Sequence, residues 1–251
     1  GMKKYPKSIL LTARYAGFAR EKAKYDEALN AYQRLLKSDL QHRKRWRQEI
    51  MRTALKAGKY DLAVKNALTW LKENPNLPEV YMSAAAAMKQ CGKNDEAAKI
   101  LKRAYAAFPD NLQVTLSLAE IMDRTGKRDI AFRLRRRRVD REKTLTGKMT
   151  AFDDFINKSG HDMLPRIKTI YTKRQQDNPK AVFPVLALAS IAFKQHDRNR
   201  YRELLTKASS LKKDDPNILC RIALVDEQNG YHHRAEQLLL EAVKLDKSKR
   251  S

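Results

Sequence analysis

The sequence predicts an all-α fold, a solenoid of antiparallel helix pairs stacked one on the next. Three features lead there. Gly58, Gly92, Gly126 and Gly160 recur at intervals of 34 residues and Gly230 follows 70 residues later, so five of the eight glycines share one register with a single two-residue slip. A period of this size marks stacked copies of one small unit. Apolar residues on both sides of these glycines recur at helical spacing, and proline-containing turns separate the copies.

Each element has a local reason. In LKAGKYDLAVKNALTWLKENP, from Leu55 to Pro75, Gly58 breaks a helix because its missing Cβ frees the backbone for a turn. Tyr60, Ala63, Ala67, Trp70 and Leu71 then give a second helix one apolar face, and Asn74-Pro75 stops it. From Lys89 to Pro109 the pattern returns, with Ala97, Leu101 and Ala104 in the places of Ala63, Ala67 and Trp70. A third copy, RTGKRDIAF, carries Ala131 at the same point. Ahead of each glycine a first helix has its own apolar face, as in Val80-Tyr81-Ala84-Ala85-Met88 and Val114-Leu118-Ala119-Met122.

A 34-residue unit with a small residue opening the turn, alanine five places later, large apolar residues along the second helix and proline at the end resembles the tetratricopeptide repeat. The resemblance implies a right-handed superhelix. It gives about seven repeats, 9–42, 44–77, 78–111, 112–145, 146–179, 182–215 and 216–249, in a single solenoid over residues 1–251. Their turns centre on Ala23, Gly58, Gly92, Gly126, Gly160, His196 and Gly230. The first repeat matches through Tyr25-Asp26-Glu27-Ala28 and Tyr32. The fifth has Pro165 where the family prefers alanine. The sixth has His196 for glycine and Tyr201 for alanine, and the register slip is expected near it. A pentatricopeptide array, with 35-residue repeats and RNA as ligand, is the neighbouring pattern. Steps of 34 and the turns Asn74-Pro75-Asn76, Pro109-Asp110-Asn111 and Asp215-Pro216-Asn217 favour the tetratricopeptide pattern.

Composition narrows the function. A mean hydropathy of -0.69 with 42% hydrophobic residues suits a helical array with much surface per residue. No stretch reaches the roughly 18 apolar residues of a spanning helix. The longest, Ala181 to Phe193, is broken by Pro184 and is expected to be a buried first helix. Ile9-Leu10-Leu11 is too short for a signal core. Cys91 and Cys220 lie about four repeats apart, which fits two free thiols in a reducing compartment. The expected location is cytoplasmic, with contact at the membrane periphery open to so basic a chain. Neither HExxH, CxxC nor GxxxxGK[ST] occurs, and His232-His233 and Asp153-Asp154 are adjacent pairs that diverge on a helix. No enzyme, cofactor or metal site is expected.

The charge is the other clue: 53 Lys+Arg against 29 Asp+Glu, a formal +24. Such a field attracts polyanions and acidic surfaces generally. Two clusters concentrate it. Arg43-Lys44-Arg45-Trp46-Arg47 opens the second repeat, and Arg45, Gln48 and Arg52 fall on one helical face that Lys56 extends. In the family, those first-helix places line the concave groove for peptide ligands, which makes Arg45, Gln48, Arg52, Lys56 and Lys89 the groove candidates. The lysine-then-asparagine pair of carboxylate-gripping members is absent, its places being Ala13 and Gly17. The second cluster is Arg133, Arg135, Arg136, Arg137 and Arg138, with Arg141 after it, a polyanion-binding candidate on the second helix of the fourth repeat. Arg135 and Arg138 stand in the frame of Leu101 and Ala104. They must reach solvent over Ala131 and Phe132, pair with carboxylates such as Asp129, Asp140, Asp153 or Asp154, or line an anion site. A joint is expected near residues 140–165.

A stacked array also needs polar ends. Leu238, Leu239, Ala242, Val243 and Leu245 mark the last helix and no capping helix follows, so this face is expected to be exposed or covered by a second copy in a homodimer. The function expected from all of this is a non-catalytic scaffold whose concave groove mediates protein-protein interaction, with an acidic partner or peptide as the expected ligand. The alternatives are RNA or DNA binding through residues 43–47 and 133–141, and an accessory subunit of a membrane or polysaccharide assembly.

Overall fold

A computed structural model describes residues 8–213, 215–228 and 230–248, with side chains through residue 246. Among the described residues there are fourteen α-helices, one short 3-10 segment and no strand. The helices pair as α1 (Ile9–Glu21) with α2 (Tyr25–Ser38), α3 (Arg43–Lys56) with α4 (Tyr60–Glu73), and α5 (Pro78–Gln90) with α6 (Asn94–Ala107). Next come α7 (Leu112–Arg124) with α8 (Arg128–Arg141) and α9 (Leu145–Lys158) with α10 (Leu164–Asp177). The last pairs are α11 (Val182–Lys194) with α12 (Arg198–Leu211) and α13 (Pro216–Gln228) with α14 (His232–Ser248). Seven pairs agree with the seven expected repeats. Their contacts gather into two units, one ending at Leu134 and the other beginning at Arg135.

Six of the seven intra-repeat turns use one device. Ala23, Gly58, Gly92, Gly126, His196 and Gly230 take left-handed backbone, with φ between 58° and 80°. The next amide then returns to a carbonyl five residues back: Lys59 N to Ala54 O at 2.8 Å, Lys93 N to Met88 O at 2.9 Å, Lys127 N to Met122 O at 2.7 Å. Lys24, Asp197 and Tyr231 do the same with Ala19, Ala192 and Asp226. This closes the helix end and satisfies its orphan carbonyls. Ala23 and His196 thus do the work of glycine despite their Cβ.

The fifth turn corrects two expectations. Gly160 has φ -58° and ψ 162°, ordinary extended backbone, and a 3-10 segment, His161–Met163, follows it. Helix α10 starts four residues after Gly160, whereas α8 starts two residues after Gly126. The two-residue slip therefore lies in this turn and not near His196. Ile167, not Pro165, then falls in the alanine place. Ala28, Ala63, Ala97, Ala131 and Ile167 are all 0% exposed there. Pro165 sits in the first turn of α10, where its missing amide costs nothing.

In the first unit the core runs through Tyr32, Trp46 and Ile50, then Trp70, Val80 and Leu101, to Ile121 and Met122. Trp46 stacks on Tyr32 at 6.2 Å and donates from Nε1 to Asp39 at 3.0 Å. Lysines following the turn residues cross to acids of the preceding repeat, Lys59 to Asp26, Lys93 to Asp61 and Lys127 to Asp95. These pairs are exposed, so each contributes at most about 1 kcal/mol. In the second unit Phe152, Tyr171 and Phe183 meet edge to face, with Phe152 4.7 Å from Tyr171. Ala181 to Phe193 forms most of α11, buried as expected from Pro184 to Ala192.

Candidate partner-binding groove

In the first unit the first helices carry the expected groove residues. Arg45, Gln48, Arg52 and Lys56 are exposed along α3. Their neighbours hold several in place. Arg45 lies over the Trp46 ring at 4.9 Å. Arg52 reaches Glu49 at 3.3 Å, and Glu49 also meets Arg20 of α1. Lys44 donates to Glu79 at 2.6 Å and holds its carboxyl below the ordinary range. Lys89 donates to Glu120 at 2.8 Å with the same effect. Consecutive first helices α1, α3, α5 and α7 are thus cross-linked by charge, and Gln48 and Lys56 take part in none of these pairs. Arg47, from the same basic run, is a packing residue: 5% exposed, it meets Asn66 at 3.3 Å and Glu73 at 2.5 Å.

On α8 the arginines divide by helical phase. Arg133, Arg137 and Arg141 are exposed and Arg136 is half-buried. Arg135, in the place filled by Tyr32, Ala67, Leu101 and Leu205 elsewhere, is 6% exposed, so it does not reach solvent over Ala131. Arg138 is paired with Asp154 at 2.7 Å, their side chains 15% and 27% exposed. Asp140 accepts two bonds from Arg174, at 2.6 and 3.1 Å, and Arg174 lies over the Tyr171 ring. The hydrogen bond donated to Asp140 raises the Arg174 pKa. Burial pushes the Tyr171 phenol well above its ordinary value.

The second unit holds a depression that the charge-based choice of candidates missed. Helices α9, α11 and α13, with Tyr201 of α12, line two open cavities of about 240 and 380 Å³ that share Arg221. The smaller has an apolar floor of Leu145, Met149, Leu186, Ile218 and Leu224, with Asp215 and Asn217 at its edge. The larger is lined by Asp153, Asn157, Ser190, Phe193, Lys194 and Tyr201. Arg221 approaches Asp153 at 3.5 Å, both about one-third exposed. Lys194 donates to the Ile156 carbonyl at 2.5 Å and to Asn157 at 3.2 Å, closing the end of α9. Phe193, 59% exposed, lies 5.2 Å from Tyr201, whose phenol burial pushes upward. Apolar floor, aromatic wall and a few cations are the usual makings of a recognition groove. Phase within the repeat was the available signal. Gln48 and Arg52 stand ten and six residues before Gly58, and the same offsets give Leu186 and Ser190 before His196, and Cys220 and Leu224 before Gly230.

A family model described as tetratricopeptide repeat matches residues 3–144, more than half the chain. The chain belongs to the tetratricopeptide-repeat family. Several solved structures also match the chain at low identity. Against MamA, residue 41 to the end, from Desulfovibrio magneticus RS-1, identity is 12%, coverage 82% of this chain and 97% of that one, and the TM-score 0.33. A thermophilic tetratricopeptide-repeat protein of Thermus thermophilus gives 18%, 87%, 98% and 0.38. The first repeat domain of Spaghetti (RPAP3), bound to the HSP90 peptide SRMEEVD, gives 20%, 47%, 95% and 0.37. No curated protein sequence matches this tetratricopeptide-repeat chain. Proteins of the family are generally non-catalytic interaction scaffolds. Among the described residues no helix is long and apolar enough to cross a membrane.

Proposed function

We propose that this tetratricopeptide-repeat protein is a non-catalytic scaffold that holds a protein or peptide, and that the groove of α9, α11 and α13 is a principal binding surface. The observation that carries this is the pair of cavities joined at Arg221, apolar on one side and cationic and aromatic on the other. An extended peptide would bury an apolar side chain beside Leu186 and Leu224 and bring a carboxylate to Arg221 and Lys194. An acidic partner agrees with the net charge of +24. The exposed α3 stripe of Arg45, Gln48, Arg52 and Lys56 serves the same class of partner in the first unit, with Lys89 already engaged by Glu120. Polyanion binding is less well supported, because Arg135 and Arg138 are taken up in the fold and Arg133, Arg137 and Arg141 supply its exposed charge. The proposal sets the protein in the cytoplasm, where the free thiols Cys91 and Cys220 are stable, and takes the C-terminal face as a contact between two copies.

The test is an NMR titration of the isotope-labelled chain with acidic, apolar-flanked peptides selected by panning, alongside a lysine-for-acid version of each. Shifts concentrated on α9, α11 and α13, lost with Arg221→Glu, are expected. Shifts confined to α8, or duplex DNA binding that survives near-physiological salt, would replace the groove with the polyanion alternative.

A further inference from the structure

The C-terminal face is the other built surface of the second unit. Helix α14 turns Ala235 and Ala242 inward, 2% and 3% exposed, against α13. On its outer side Leu239, Leu240 and Val243 are 45%, 55% and 51% exposed, and Leu224 of α13 is 62% exposed. Together with Ala235 these residues line a hollow of about 310 Å³ whose acidic residues are Glu227 and Glu236. Such a patch of large aliphatic side chains is a surface meant to be covered.

We infer that a second copy of the chain covers it, with the two α14 helices packed antiparallel about a two-fold axis at Leu240. This deepens the two-copy contact proposed above, and Leu224 is the one residue its hollow shares with the peptide groove. The charge pattern selects this arrangement. Glu236 and Lys244 stand four residues either side of Leu240, both exposed. An antiparallel crossing at Leu240 sets each Glu236 opposite the partner helix's lysine at 244, twice over by symmetry. A parallel pairing in register sets Glu236 against Glu236 and Lys244 against Lys244, which repels. The two-fold also brings Leu240 onto itself and Leu239 and Val243 into the hollow beside Leu224, an isologous contact that closes at two copies. Lys244 lies at the rim of the aliphatic stripe, so its ammonium reaches the partner carboxylate while its stem covers apolar surface.

The test is size-exclusion chromatography with light scattering on the whole chain across a concentration series. The expected mass rises toward twice the 29.0 kDa of one chain. Glu236→Lys and Lys244→Glu should each weaken association at least tenfold, the double exchange should restore it, and Leu240→Glu should abolish it. Far-ultraviolet dichroism of each variant, expected unchanged at these exposed positions, separates lost association from lost folding. A mass of 29.0 kDa at every concentration overturns both the two-copy contact and its geometry. A doubled mass indifferent to the charge exchange overturns the antiparallel crossing alone. Growth beyond two copies overturns the closed symmetry.

Discussion

Replacing Asp226 with alanine takes a fully buried carboxylate from between two guanidinium groups. Asp226 is 0% exposed on α13, and its oxygens lie 3.0 Å from Arg202 of α12 and 3.2 Å from Arg234 of α14. Arg202 also lies over the Tyr231 ring at 5.0 Å. One acidic side chain therefore ties the sixth repeat to both helices of the seventh. Breaking a buried pair by removing one partner costs about 3–5 kcal/mol, because the survivor is left uncompensated. Here the survivors are 31% and 53% exposed and can swing toward water, which lowers the expected cost to about 2–3 kcal/mol. At about 1.4 kcal/mol per tenfold, that is roughly a 30- to 150-fold rise in local opening. Amide hydrogen exchange reads it directly. Exchange in α13 and α14 should accelerate by that factor while α1 to α6 stay unchanged, since each repeat in such an array contacts only its neighbours. The triple replacement Arg202→Met, Asp226→Leu, Arg234→Met should recover most of the loss, as apolar substitutes for buried ion networks often do. Acceleration below about threefold in the single variant would refute the reasoning, placing the net worth of the triad within that of a surface pair.

Other substitutions test the turns and the remaining ion pairs. Ala23→Gly and His196→Gly should each stabilise the chain by about 0.5–1 kcal/mol, because left-handed backbone costs a Cβ-bearing residue about 1–2 kcal/mol and glycine returns part of that as entropy. Gly92→Ala should cost about 1 kcal/mol by the same reasoning, since its added Cβ would meet nothing within 4 Å and only the backbone resists. Urea midpoints measure all three. At Asp39 burial raises the carboxyl pKa, but hydrogen bonds from His42 and Trp46 outweigh it and leave the value lowered. Its contribution is therefore present above the unfolded value of about 4 and lost as pH falls through the lower folded one. Denaturation followed by tryptophan fluorescence should show that acid loss, and Asp39→Asn should reduce it. Asp154→Leu should destabilise more than Arg138→Met, because Asp154 keeps Lys158 at 2.9 Å while Arg138 is left facing an apolar side chain. Equal effects in thermal melts would count against the pairing.

Much of the fold was legible because its causes are local. A left-handed turn residue, an alanine five places on and a proline at the helix end each act within a few residues, so they repeat visibly at 34-residue steps. Even Ala23 and His196 could be placed, since the frame around them is intact. The fifth turn was misplaced because Gly160 keeps the 34-residue step while doing a different job. Its neighbours His161–Met163 insert a 3-10 segment, and no local signature separates a glycine needed for positive φ from one in extended backbone. Ile167 in the alanine place could be recognised only after that insertion was known.

The candidate site was harder to see because composition drew attention away from phase. Five of the six residues from Arg133 to Arg138 are arginine, yet helical rotation alone separates exposed Arg133 and Arg137 from buried Arg135 and from Arg138 on Asp154. The triad at Asp226 was invisible for a related reason: its three members are spread over 33 residues and meet only through packing. Conversely, Leu186, Ser190, Phe193, Cys220, Arg221 and Leu224 carry no unusual composition, and what marks them is position relative to His196 and Gly230. In a repeat fold the residue's place in the unit decides which way it faces before its chemistry matters. Arginine in a packing place becomes structure that carboxylates must balance. Leucine in a groove place can become exposed surface, as the 62% exposure of Leu224 shows, although Leu186 in a groove place of α11 is buried. Covering such side chains is what an apolar residue of the proposed peptide would contribute, at about 25 cal/mol per Å² of apolar surface removed from water.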